Sequence, residues 1–126
     1  MRITLQYPHT LVALAAAAAL LAPGAAFAHA QLLNAVPGVG TTVSAAPTLA
    51  LTFSEPVEPG FSGVALTDAA GKAVPLGKPA ADPAGKATLV VAVKARLAAG
   101  TYTVVWHAVS VDTHRTQGKY AFTVAP

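Results

Sequence analysis

Short apolar runs that alternate residue by residue, each closed by Pro, Gly, Asp or Ser, fill the chain from Gln31 onward. A repeat of two sends every second side chain to one face, so these runs read as half-buried strands rather than helices. Leu49, Leu51 and Phe53 alternate with Thr48, Ala50 and Thr52, and Val64 and Leu66 continue the pattern. Leu89, Val91 and Val93 form another face, and Tyr120, Phe122 and Val124 the last. Thr101 to Val111 is apolar on both parities, which predicts a central strand buried on both faces. Turn signals separate the runs: Pro37-Gly38, Glu55 to Gly60, Ala70-Gly71, Asp82 to Gly85, and Ala99-Gly100. The pattern predicts seven strands, at roughly 31–36, 48–54, 61–68, 72–76, 87–94, 101–111 and 117–124. That is the layout of an all-β, Greek-key, immunoglobulin-like sandwich. The chain has no cysteine, so the predicted sandwich has no disulfide and is held by burial.

The N-terminal stretch has a different character. Arg2 precedes the apolar run Leu11 to Leu21, a Pro-Gly break, and the small-residue pattern Ala26-Phe27-Ala28. This order is that of a cleavable secretory signal peptide, and the run is too short for a committed membrane span. Residues 1–28 are expected to leave, so that one domain, 29–126, begins at His29. Ala28-His29-Ala30 is also an A-x-A pattern, and cleavage there would start the chain at Gln31. The first site is favoured because it follows the Pro-Gly break in the usual way. No second hydrophobic span follows, so the product is expected to be exported, with no membrane span of its own after cleavage. Seven of the eight Lys and Arg residues lie beyond Arg2, against five acids, and they are scattered. No basic stripe is interleaved with aromatics, which argues against nucleic-acid binding.

The predicted strand order brings three chemically active residues to one rim. If each connection reverses direction, the first and last strands start at the same end. That end collects His29, the Val111 to Gln117 connection and the Glu55 to Gly60 loop. An N-terminal histidine is a chelator by itself, because its α-amine and Nδ1 close a six-membered ring on a metal. Asp112 and His114, two residues apart, project to the same side in extended backbone. Three nitrogens and one carboxylate oxygen suit square-planar or tetragonal Cu(II), and the set has no sulfur for Cu(I). The one methionine is Met1, inside the predicted leader. Glu55 and Glu58 are candidates for hydrogen bonds to the imidazole or amine. Plainer readings sit beside these. Asp-x-His in a loop is ordinarily solvated turn chemistry, and His107 and Trp106 read as core residues. Glu55 and Glu58, flanked by prolines, also read as exposed loop residues.

These residues resemble the CopC type of copper-resistance proteins. The resemblance rests on A-x-A followed by His29-Ala30, on L-T-F-S-E-P (Leu51 to Pro56) with Phe61 to Gly63, and on G-T-Y-T-V-V-W (Gly100 to Trp106). It also rests on V-S-V-D-T-H (Val109 to His114) and G-x-Y-x-F (Gly118 to Phe122). The resemblance implies a periplasmic copper binder with His29, Asp112 and His114 as metal ligands and Glu55 close to the site. Some members carry a methionine-rich loop for Cu(I); Thr67 to Thr88 here has neither methionine nor histidine. A single Cu(II) per chain is therefore implied, as is handover to a CopD-like inner-membrane partner. The expected function is a non-catalytic carrier or buffer serving copper homeostasis, resistance or transport. Two rival readings are a copper monooxygenase built on an N-terminal histidine and a plain adhesion or assembly module.

Overall fold

A computed structural model describes residues 29–126 of the chain; the predicted leader, 1–28, lies outside the described residues. The strands are β1 (Leu32–Val36), β2 (Thr42–Val43), β3 (Thr48–Phe53), β4 (Gly63–Thr67) and β5 (Ala73–Val74), followed by β6 (Ala80–Asp82), β7 (Gly85–Ala92), β8 (Gly100–Val109) and β9 (Arg115–Val124). They form two sheets, ordered β1-β3-β7-β6 and β2-β9-β8-β4-β5. The architecture is the expected all-β sandwich, and no α-helix occurs among the described residues.

All seven predicted strands are present, and two short ones were not foreseen. Both are continuations. β1 runs antiparallel to β3, while β2 pairs parallel to β9 at Thr42↔Thr123 and Val43↔Val124. Tracing the ladders, β2 keeps the direction of β1 after the chain changes sheet, and β6 keeps the direction of β5 in the same way. Neither adds a reversal, so His29, the β8–β9 turn and the Glu55 to Gly60 loop still share one rim. Neither was visible because two or three residues cannot display an alternating pattern, and Ala80-Ala81-Asp82 has low strand preference. Pairing with β7, at Ala80↔Val90 and Ala81↔Leu89, makes β6 a strand.

The core forms where the inward parities meet. Leu49, Leu51 and Phe53 of β3 and Leu89 and Val91 of β7 face Leu66 of β4, Val104 of β8 and Phe122 of β9, all at most 2% exposed. Burying a side chain of this size stabilises by about 1.5–3 kcal/mol. β8 corrects one expectation: only Tyr102, Val104, Trp106 and Ala108 are buried, while Val105 is 47% exposed. The strand is buried on one face, and its valines on the other parity lie on the outer surface. His107 shares that outer face, so it is not a core histidine.

Two close fits fasten β8. The Trp106 ring lies over its cross-strand partner Gly118, where a Cβ would come within 2.7 Å of Cζ2. The same ring meets Phe53 edge-on at 5.1 Å between ring centroids. Tyr102 donates its hydroxyl to the Ala98 carbonyl at 2.7 Å, four residues upstream. It thereby pins the start of β8 to the loop before it, as a tyrosine corner does. Tyr102→Phe is expected to cost about 1 kcal/mol, lowering the thermal midpoint by roughly 4–8 °C. Calorimetry of the pair of proteins checks this; an unchanged midpoint would show that the corner holds nothing.

Candidate metal centre

The β8–β9 turn is built around Ser110, whose side chain is fully buried. Thr113 N–H donates to Ser110 O at 2.8 Å and Ser110 N–H to His114 O at 2.9 Å. These bonds close a three-residue hairpin loop whose last residue takes the left-handed conformation. Thr113 occupies it at φ 72°, a strained choice for a β-branched residue. The fold bears that strain at the point that separates Asp112 from His114.

The Ser110 hydroxyl donates to Asp112 Oδ1. His114 N–H reaches the same oxygen at 3.3 Å, and His114 Nδ1 lies 3.2 Å from Asp112 Oδ2. With the Ser110 hydroxyl as the largest cause and His114 next, the Asp112 carboxyl is held down at about 2, against 3.8 ordinarily. A depressed carboxyl pKa stabilises the fold above the unfolded value. That contribution is lost as pH falls from about 4 through about 2. Ser110→Ala is therefore expected to raise the Asp112 pKa toward 3.8, a shift that carbon-detected NMR titration of the carboxyl reads directly. No movement would show that the hydroxyl is not what holds it down.

The N-terminal segment is tied to the same turn by its backbone. Ala30 is fully buried, and its carbonyl accepts from Thr116 Oγ1 at 2.7 Å. Gln31 N–H donates to Ser54 Oγ at 2.8 Å, and Ser54 N–H returns to Gln31 O at 2.8 Å. Anchored on both sides, the chain sets the His29 ring edge-on to His114, with centroids 4.7 Å apart. The Glu55 to Gly60 loop closes the rim: Val57 pairs with Ser110, and Glu58 N–H donates to Val109 O at 2.8 Å. Glu55 keeps Oε1 buried with no hydrogen-bond partner, a costly state for a carboxylate oxygen. Glu58 is exposed.

The sequence-predicted residues therefore gather at one rim, in pairs: His29 with His114, and His114 with Asp112. No group of three ligating side chains converges as a ready-made cage among the described residues. The reason is local, because His114 spends Nδ1 on Asp112. A metal bound by both rings and the acid requires one side chain to turn about its χ angles. At 54% and 40% side-chain exposure, His114 and Asp112 have room for that rotation. In chemical type, two imidazoles beside a carboxylate fit a borderline cation such as Cu(II), and the described residues contain no sulfur ligand. The alternation of the sequence did not reveal Ser110, which organises the turn. A serine two residues before Asp-x-His was its only trace.

Comparison with known proteins agrees with this architecture. The CopC domain model matches residues 32–125. Protein YobA from Escherichia coli K12 is 40% identical over 99 residues, covering 78% of this chain and 80% of that protein. Copper resistance protein C from Xanthomonas campestris pv. juglandis is 40% identical over 112 residues, covering 85% and 88%. The crystal structure of PcoC, a methionine-rich copper resistance protein from Escherichia coli, superposes with a TM-score of 0.70 at 37% identity, covering 77% of this chain and 99% of that one. The domain match spans most of the chain and the relatives are covered over most of their length, so this chain belongs to the CopC family of non-enzymatic copper resistance proteins.

Proposed function

We propose that this protein is a periplasmic Cu(II) carrier or buffer, one ion per chain, released from a leader that ends at Ala28. The ion is the cargo. His29 would hold it through its ring and its freed amine, Asp112 through a carboxylate oxygen and His114 through an imidazole nitrogen. The observation that carries this reading is the placement of the His29 ring 4.7 Å from His114, beside a buried Ala30 and the Ser54 hydrogen bonds. Glu55 is suited to accept a hydrogen bond from the amine or an imidazole N–H, since its buried oxygen has no other partner. The copper resistance names of the relatives support copper as the cargo. Cu(II) rather than Cu(I) is supported by the chemistry: unlike the methionine-rich PcoC, the described residues offer no thioether. A CopD-like inner-membrane protein is the natural recipient in this reading.

The test is equilibrium dialysis of the secreted protein against Cu(II) in a weak chelator, with electron paramagnetic resonance of the retained ion. One equivalent is expected, with a tetragonal spectrum showing nitrogen coupling. No retained copper would return the protein to a plain interaction module. Peroxide formation with ascorbate, at a rate above that of free copper, would favour the oxygenase reading instead.

A further inference from the structure

On the outer face of the five-stranded sheet, a groove of about 370 Å³ is lined by Val105, His107, Arg115, Gln117 and Lys119 over the backbone of Trp106 and Gly118. Its shape has a specific cause. His107 pairs across the ladder with Gly63 on one side and Gln117 on the other. The imidazole lies on Gly63, where a Cβ would fall 2.3 Å from Cε1. The ring thus leans toward β4 and leaves the β9 side open.

The open side is cationic. Arg115, Gln117 and Lys119 are alternate residues of β9, so they share the outer face, and no acidic residue lines the groove. The ion pair of the described residues is His114 with Asp112, so neither Arg115 nor Lys119 has a carboxylate partner there. Two cations separated by ~13 Å of strand, with a primary amide between them, match several acceptors on one molecule better than one compact anion. Arginine favours the planar, two-oxygen geometry of a carboxylate. We propose that this groove binds a small polycarboxylate anion of the di- or tricarboxylic acid class. Arg115 takes one carboxylate, Lys119 another, and the Gln117 amide donates between them. The site begins one residue beyond His114 but uses none of the candidate copper ligands, so it stands or falls independently of the copper reading.

The test is an NMR titration of the metal-stripped protein with citrate at constant ionic strength. Saturable shifts confined to His107 and Arg115 through Lys119 are expected, whereas acetate and inorganic phosphate at equal ionic strength do not saturate. Arg115→Gln and Lys119→Gln should each weaken citrate by about tenfold, the size of one lost charge-assisted hydrogen bond. Gly63→Ala keeps both charges but pushes the imidazole into the groove, and should weaken citrate by a similar factor. Shifts that follow ionic strength alone, equal binding of phosphate, or an unaffected Gly63→Ala variant would overturn the proposal. Arg115 and Lys119 would then be charges that guard an edge strand against pairing, since β2 covers β9 only at Thr123 and Val124.

Discussion

A chain carrying one extra residue ahead of His29 is expected to bind Cu(II) at least ~100-fold more weakly than the chain that starts at His29. Changes around a metal ligand cost 10–100-fold, and this one removes a ligand and opens a chelate ring. The α-amine moves away while the imidazole stays where Ala30 and Ser54 hold it. His29→Ala should be as harmful, because the ring nitrogen goes instead. Glu55→Gln, which leaves all proposed ligands in place, should cost about tenfold, the low end of that range. The control is the copper-free melting temperature. His29 is exposed and its segment is fixed through the backbone, so the extended protein should melt as the native one does. Competition titration against a chromogenic chelator checks the series. Equal affinity of the extended and native chains would sink the proposed ligand set. A fall in affinity with a matching fall in stability would point to a disturbed fold instead.

The largest effect on stability is expected at Phe53. It is 2% exposed at the last position of β3, and its ring meets Trp106 of the opposite sheet edge-on. Phe53→Ala removes that aromatic pair and opens a cavity against Trp106, costing about 3–5 kcal/mol. For a domain of this size the midpoint should fall by roughly 15–30 °C, a large part of the stability such domains possess. The opposite error is available where the same ring meets Gly118. Gly118→Ala places a Cβ within 2.7 Å of Trp106 and should cost about 1–3 kcal/mol by overpacking. Urea unfolding of both variants checks the pair. A Phe53→Ala protein within 1 kcal/mol of the parent would mean that Trp106 is not the joint between the sheets.

Much of this was legible because a strand announces itself through a period of two. β3, β7 and β9 show it in Leu49 to Phe53, Leu89 to Val91 and Tyr120 to Val124, and each buries the parity expected. β8 misled because Val105 and Val109 made both parities look apolar. Apolarity states what a residue tolerates, while burial depends on whether a second layer covers it, and nothing covers that face of β8 among the described residues. His107 was misplaced for the same reason. Its position is explained by Gly63, some forty residues earlier in the chain, and no local pattern links the two.

The sequence by itself determined the fold class, the candidacy of His29, Asp112 and His114, and the absence of sulfur among the described residues, since all three follow from residue type and spacing. The tertiary structure alone decided how those residues meet. It pinned the His29 segment by a buried Ala30, gave Asp112 its hydroxyl partner in Ser110, and turned His114 Nδ1 onto that acid. Those are contacts between segments as much as 86 residues apart. Their energies depend on which surfaces the packing brings together, a quantity that no single stretch of chain encodes.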